Sequence, residues 1–146
     1  MTFALATLAL VALMSGPASL GPVWDSPVPG KLSVTSSYGW RHGQRHQGLD
    51  IEASRGTLVS AVADGTVIQK GWNRMAGNYI TVEHPDGVQS IYCHLSKFFV
   101  VVGMYVGRGW PIGKSGNTGF STGPHLHLGA LKNGKYMDPM KLLRAL

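Results

Sequence analysis

The chain has 146 residues, a formal net charge of +6, 20 glycines, 8 prolines and one cysteine. A single cysteine excludes an internal disulfide, and the length suits one compact domain with an N-terminal extension. The basic charge favours an anionic partner. Nucleic acid is not the expected one, because no basic run is interleaved with aromatic residues and no nucleic-acid-binding motif occurs.

The N-terminal segment, residues 1–20, differs in composition from the rest of the chain. Phe3 to Met14 is almost wholly apolar, and small residues follow it. About a dozen apolar residues are too few for a bilayer-spanning helix, which needs roughly 20, but they suit a signal peptide. Because the segment lacks lysine and arginine, an uncleaved anchor in a membrane or in another protein is the alternative. Residues 21–33, rich in proline and glycine, are predicted to be a linker.

Residues 34–146 are predicted to form one mostly β domain. Short β-branched runs between glycines and prolines favour strands joined by tight turns. Asp64-Gly65, Asp86-Gly87 and Asn133-Gly134 are predicted hairpin turns. Only residues 139–146 are predicted to be helical, with Asp138 as the N-cap. The predicted strands are 49–53, 58–63, 66–70, 79–84, 89–94, 99–102, 111–114 and 125–131.

Two short strings place histidines where they can meet. In the His-Leu-His-Leu string at 125–128, strand alternation sends His125 and His127 to one face and both leucines to the other. His46 and Asp50 are four residues apart with Gly48 between them. A turn that leads into a strand can point both side chains toward one metal ion.

A third string, Tyr-Cys-His-Leu at 92–95, adds another histidine. Alternation predicts that Tyr92 and His94 share one strand face, with Cys93 and Leu95 on the other. A lone His-x-His pair is more often a polar strand face than a ligand pair. All three strings in one small domain instead predict a metal site with spare imidazoles, as metal-assisted amide hydrolysis requires.

The segments around these histidines carry a family resemblance. They are SYGWR at 37–41, GNYI at 77–80 and GKSGNTGFSTGP at 113–124. Together with the histidine strings, they resemble the lysostaphin-type or LytM-like zinc metalloendopeptidases, which cut peptide cross-links in bacterial cell walls. The resemblance covers about residues 34–139. It implies the family fold, the duplicated hybrid motif: a compact antiparallel β-sheet or β-sandwich-like domain with an active-site groove.

Carried over position by position, the resemblance implies that His46, Asp50 and His127 are the zinc ligands. It leaves His94 and His125 unliganded and catalytic. Two imidazoles and one carboxylate leave an open position on a tetrahedral zinc, whereas a structural site uses four protein ligands. Either spare imidazole can be the general base, and the other can stabilise the oxyanion or protonate the leaving amine.

Tyr38 matches a family tyrosine near the metal. It is expected either to stabilise developing charge or to form an aromatic wall of the groove.

The implied function is a zinc-dependent endopeptidase that hydrolyses peptide cross-links of peptidoglycan, in wall remodelling or as a phage-borne enzyme. Its expected location is the periplasm, the cell wall, the medium or a phage virion. The N-terminal segment is the expected contact with a membrane or virion protein. The alternatives are a catalytically silent wall-binding protein and a virion structural protein. The sequence leaves open whether a glycine bridge or a direct cross-link between D-amino acids is cut.

Overall fold

The computed structural model describes residues 23–144. The predicted signal or anchor segment, residues 1–20, lies outside them. Within the described part of the chain, no helix is long and apolar enough to span a membrane. The strands are β1 Val34–Ser36, β2 Gly39–Arg41, β3 Gln44–His46, β4 Leu49–Glu52, β5 Leu58–Ser60, β6 Gly65–Asn73, β7 Gly77–Glu83, β8 Val88–Phe98, β9 Tyr105–Val106, β10 Pro111–Ser115, β11 His125–Lys132 and β12 Lys135–Met137.

Most strands form one antiparallel sheet, as the sequence predicts. Its main path runs β1-β4-β11-β8-β7-β6-β9, with β12 paired to β11. Strand β10 pairs with β8 and carries β5 on its other side. Strands β2 and β3 form a separate hairpin. The long central strands are thus held on both sides and supply a rigid surface for side chains.

The hydrophobic core lies on one face of this sheet. Leu49, Leu126 and Leu128 are fully buried there, together with Val59 of β5 and Ile112 of β10. Burying one such side chain stabilises the fold by about 1.5–3 kcal/mol. The alternation predicted for β11 is confirmed, because its two leucines enter the core.

Part of the predicted linker is packed into the domain. Trp24 is completely buried, and Val28 is nearly so. The backbone of Trp24 donates to the Leu142 carbonyl and accepts from the Arg144 amide, both at 2.7 Å. Burial of the large apolar indole stabilises this packing, although the neighbouring prolines and glycines are typical of a linker. The packed domain therefore includes Trp24 rather than beginning at β1.

The strand predicted at 99–102 does not form. Strand β8 continues to Phe98, and the chain then enters a loop in which Val101 and Val102 are both well exposed. Two consecutive exposed side chains do not fit the alternation of a half-buried strand. Gly103, with φ of 93°, then turns the chain toward β9.

Two of the three predicted hairpin turns are confirmed. Asp86-Gly87 joins β7 to β8, and Asn133-Gly134 joins β11 to β12 with positive φ at both residues, as a type I′ turn requires. Asp64-Gly65 is not a hairpin turn. Strand β5 pairs with β10 rather than with β6, so the chain crosses between strands at that point.

The predicted C-terminal helix is reduced to one 3-10 turn, Pro139–Lys141. The Asp138 carboxylate accepts a hydrogen bond from the Met140 amide at 2.9 Å, so the predicted N-cap is confirmed. The Leu142 carbonyl accepts from Trp24. The backbone after the turn is thus hydrogen-bonded to Trp24, and within the described residues the turn does not continue as a helix.

Candidate metal centre

A groove of about 760 Å³ lies on the face of the main sheet opposite the core. On β11, His127 and Gly129 line the groove while Leu126 and Leu128 are buried beneath it. The predicted active-site groove is therefore present, and strand alternation determines which side chains enter it.

His46, Asp50 and His127 come together in this groove. One ligand atom from each lies within 4.8 Å of the others. The β4–β11 register places Asp50 beside His127, and His46 ends β3 just before the turn into β4. Asp50 Oδ1 is 3.0 Å from His127 Nδ1 and 3.3 Å from His46 Nε2. Two imidazole nitrogens and one carboxylate oxygen are a donor set that suits zinc and leaves a coordination position open.

Backbone groups orient both ligand histidines. His46 Nδ1 lies 2.9 Å from the Ser37 carbonyl. Because a carbonyl only accepts, Nδ1 carries the proton and Nε2 is free to bind a metal. The His127 ring packs against Gly48, where a Cβ would lie 2.5 Å from Nε2. The ring is thereby held with Nδ1 toward Asp50.

Cys93 and His94 both line the groove, although they are adjacent on β8. His94 has φ of 63°, and the β7–β8 register shifts at this point. This β-bulge turns His94 back toward the groove, while Tyr92 and Leu95 are buried in the core. The prediction that Tyr92 and His94 share a face is therefore wrong, because one extra residue breaks the alternation of β8.

His94 and His125 present the same nitrogen to the groove. His94 Nδ1 lies 2.7 Å from the Thr118 carbonyl, and His125 Nδ1 lies 2.8 Å from the Gly123 carbonyl. Each Nδ1 therefore donates a proton to a carbonyl, which leaves Nε2 to exchange one. The two ring centroids are 4.7 Å apart. The groove thus holds two fixed imidazoles beside the metal-ligand group.

Asp50, His94 and His125 have displaced pKa values. Burial lowers the pKa of His94, whereas the hydrogen bond to Asp50 raises the pKa of His125. Burial alone would raise the pKa of Asp50, but hydrogen bonds from His125 and His127 outweigh it and hold this pKa well below its usual range. The carboxylate therefore stays charged and able to bind a cation.

Tyr38 is the one predicted site residue that does not line the groove. Its hydroxyl donates to the Tyr136 carbonyl at 3.3 Å and accepts from Arg45 Nη2 at 2.8 Å. The Arg45 guanidinium also lies 5.6 Å from the centre of the Tyr38 ring. The structure thus brings His46, Asp50, His94, His125 and His127 together. Tyr38 instead contacts Arg45, and the catalytic role of Tyr38 stays a prediction.

The carbonyls of Ser37, Thr118 and Gly123, which orient the site histidines, were not found by sequence reasoning. No side-chain pattern marks a backbone carbonyl. For Thr118, however, a glycine in one of the family segments indicates that another part of the backbone packs closely there. A Cβ at Gly77 would lie 2.4 Å from the Thr118 carbonyl oxygen, so glycine there lets the segment carrying Thr118 pack against β7 and reach His94.

An antiparallel sheet with a His-Asp-His group in its groove defines a β-sheet protein with a candidate metal centre. Residues 44–139 match Peptidase family M23, and the chain belongs to this family of peptidases. The resemblance to the lysostaphin-type enzymes is thereby confirmed.

Relatives of known name and solved structures are similar to this chain. Lysostaphin from Staphylococcus simulans is 42% identical over 110 residues, which cover 71% of this chain and 22% of lysostaphin. The DD-carboxypeptidase/endopeptidase Mpg from Neisseria meningitidis is 41% identical over 115 residues, covering 75% of this chain and 26% of Mpg. This chain therefore spans about a quarter of the length of these curated relatives.

A crystal structure of a zinc-containing peptidase from Vibrio cholerae matches with a TM-score of 0.76 and 33% identity, covering 85% of this chain and 40% of that one. This neighbour contains zinc. The His-Asp-His group of this chain is a donor set that suits the same metal.

Proposed function

We propose that this domain is a zinc-dependent endopeptidase that hydrolyses the peptide cross-links of bacterial peptidoglycan. The observation that carries the proposal is a pair of fixed imidazoles, His94 and His125, beside a group that can hold a metal. A site that only bound zinc would have no use for them. The name of one relative supports a peptidase, since Mpg is a DD-carboxypeptidase/endopeptidase.

In this proposal His46, Asp50 and His127 hold the metal. When bound, zinc supplies a Lewis acid that polarises the scissile carbonyl and lowers the pKa of water. One of His94 and His125 accepts the proton of the attacking water at Nε2, and the other donates a proton to the leaving amine. Because each Nδ1 is bound to a backbone carbonyl, Nε2 is the nitrogen that each ring can use for proton transfer, and that of His125 lies 3.5 Å from Asp50 Oδ1, beside the metal group.

We also propose that the enzyme acts outside the cytoplasm. Wall polymers are anionic, so a chain of charge +6 is attracted to its substrate in a salt-sensitive way. Attachment of residues 1–20 to a membrane or virion protein, and a phage origin, stay predictions.

A catalytically silent wall-binding protein is the second candidate. The observation in its favour is the basic net charge, which by itself gives wall affinity without chemistry. A virion structural protein would likewise need no catalytic site. Neither role explains the paired imidazoles.

Digestion of purified peptidoglycan separates these candidates. The full chain is incubated with wall material, with zinc or with a chelator, and products are read by mass spectrometry. The endopeptidase releases fragments with new amino termini only when zinc is present. A silent protein sediments with the wall and holds zinc, yet releases no fragment.

A further inference from the structure

We propose that one end of the groove is an anion subsite, in which Arg45 binds a carboxylate of the substrate peptide. The inference deepens the proposed peptidase function and rests on it. Such a subsite would favour peptides that carry a carboxylate over neutral glycine bridges. The sequence alone leaves open which of the two is cut.

The first support is the charge of the groove. Among residues 23–144, Asp50 is the only carboxylate that lines it, and that side chain belongs to the candidate metal group. Arg41 and Arg45 line the same groove from the β2–β3 hairpin. The two arginines therefore outnumber the one carboxylate of the groove, and this excess of positive charge attracts an anion.

The second support is that Arg45 has no carboxylate partner among the described residues. Arg41 contacts Ser36 and lies 3.8 Å from Asp50. By contrast, no carboxylate in the described residues lies within ion-pairing distance of Arg45. Its charge is thus available to a ligand.

The third support is that Arg45 is held in place. Its Nη2 donates to the Tyr38 hydroxyl at 2.8 Å, and its guanidinium packs near the Tyr38 ring. The Tyr38 hydroxyl is in turn bound to the Tyr136 carbonyl. A guanidinium has five N–H donors, so most remain free to bind a carboxylate in the bidentate manner. Because the side chain is already ordered, less conformational entropy is lost when it binds. Tyr38 is therefore a positioning residue for Arg45.

Arg45 directly precedes the candidate metal ligand His46 on β3, and both residues line the groove. A peptide bound at the metal group can therefore place a carboxylate at Arg45. A bridge made only of glycine offers Arg45 no charge.

The test uses the zinc-loaded full chain and two synthetic cross-linked peptides that differ only in one distal group, carboxylate in one and carboxamide in the other. We expect wild type to cleave the carboxylate form with a kcat/KM about two- to fivefold higher, mainly through KM, because a pair between an exposed guanidinium and a carboxylate gains only modest energy in water. Arg45→Gln should remove this preference by slowing only the carboxylate peptide, and Arg45→Lys should restore part of it. Tyr38→Phe should weaken the preference.

Arg55→Gln is the matched control, because Arg55 is exposed and does not line the groove. It should leave both rates unchanged. Zinc content and the thermal midpoint of each variant show whether it is folded. Equal cleavage of both peptides by wild type, or a preference that survives in Arg45→Gln, overturns the subsite.

Failure of the proposed function gives a different result, in which zinc-loaded wild type cuts neither peptide. Calorimetric binding of the same two peptides then still tests the subsite. Tighter binding of the carboxylate form that is lost in Arg45→Gln supports it, and equal binding overturns it.

Discussion

The imidazole of His127 packs directly on the α-carbon of Gly48. A Cβ at position 48 would lie 2.5 Å from His127 Nε2 and 2.7 Å from the Leu128 carbonyl oxygen. The ring occupies this space with its Nδ1 3.0 Å from Asp50 Oδ1. Gly48 therefore belongs to the metal centre although it has no side chain.

Gly48→Ala should weaken zinc binding about 10- to 100-fold, the usual cost of disturbing the support of a metal ligand. The added methyl group cannot displace the Leu128 carbonyl easily, so the His127 ring must move. Competition with a zinc-binding dye measures the affinity. Gly71→Ala is the control, since its Cβ would meet nothing closer than 3.4 Å. Unchanged affinity in Gly48→Ala would contradict the assigned role of the contact.

Zinc should stabilise the folded chain. A ligand that binds only the native state at about 100 times its Kd adds about 2.7 kcal/mol to the free energy of unfolding. We therefore expect a chelator to lower the thermal midpoint of wild type and to leave that of His127→Ala unaffected. An equal chelator effect on both proteins would mean that zinc binds elsewhere.

The left-handed backbone of His94, with φ of 63°, gives a stability prediction. A side chain other than glycine costs about 1 kcal/mol in this conformation, so His94→Gly should be more stable than His94→Ala. At Gln89, in a regular part of β8, the order should reverse because glycine weakens strands. Urea denaturation of the four variants measures both differences. Finding the same order at both positions would argue against a bulge at His94.

Local patterns were sufficient to predict the parts of the site that depend on neighbouring residues. The alternation of His125 and His127 with two leucines is such a part, as is the turn from His46 to Asp50. The side-chain direction of His94 could not be predicted this way. It depends on one extra residue in β8, which becomes visible only in the pairing of β8 with β7.

Trp24 shows the same limit for the fold. Its burial depends on backbone bonds to Leu142 and Arg144, at the other end of the chain. Proline and glycine content indicate an open segment locally, and they carry no information on a contact over such a separation. The bonds of Tyr38 to Arg45 and Tyr136 also join separate elements, so its neighbours could not be read from the segment SYGWR alone.

A buried histidine far from the groove should make stability depend on pH. His84 Nδ1 lies 2.8 Å from the Asp64 carbonyl and Nε2 lies 2.8 Å from Ser90 Oγ. Burial lowers the pKa of His84 below 6.5 in the folded chain. Near and below the unfolded pKa, the unfolded chain therefore binds more protons than the folded chain. The free energy of unfolding should then fall as the pH decreases from the unfolded pKa toward the folded one.

Urea denaturation between about pH 7.5 and 5 measures this dependence, since an unperturbed histidine titrates within that range. The loss of stability should be smaller in His84→Gln than in wild type. His42→Asn, at an exposed turn residue, is the control and should follow wild type. Comparing variants with wild type cancels the contributions of the histidines in the groove. An unchanged pH slope in His84→Gln would rule out this histidine as the source.

The central claim is that the two unliganded imidazoles act on a peptide beside the metal. The most direct measurement is the rate at which zinc-loaded His125→Ala releases new amino termini from peptidoglycan, relative to wild type at equal zinc content. Loss of general acid–base catalysis predicts a decrease of about 10²- to 10⁴-fold while zinc stays bound. A variant that holds zinc and cleaves at the wild-type rate would contradict the account.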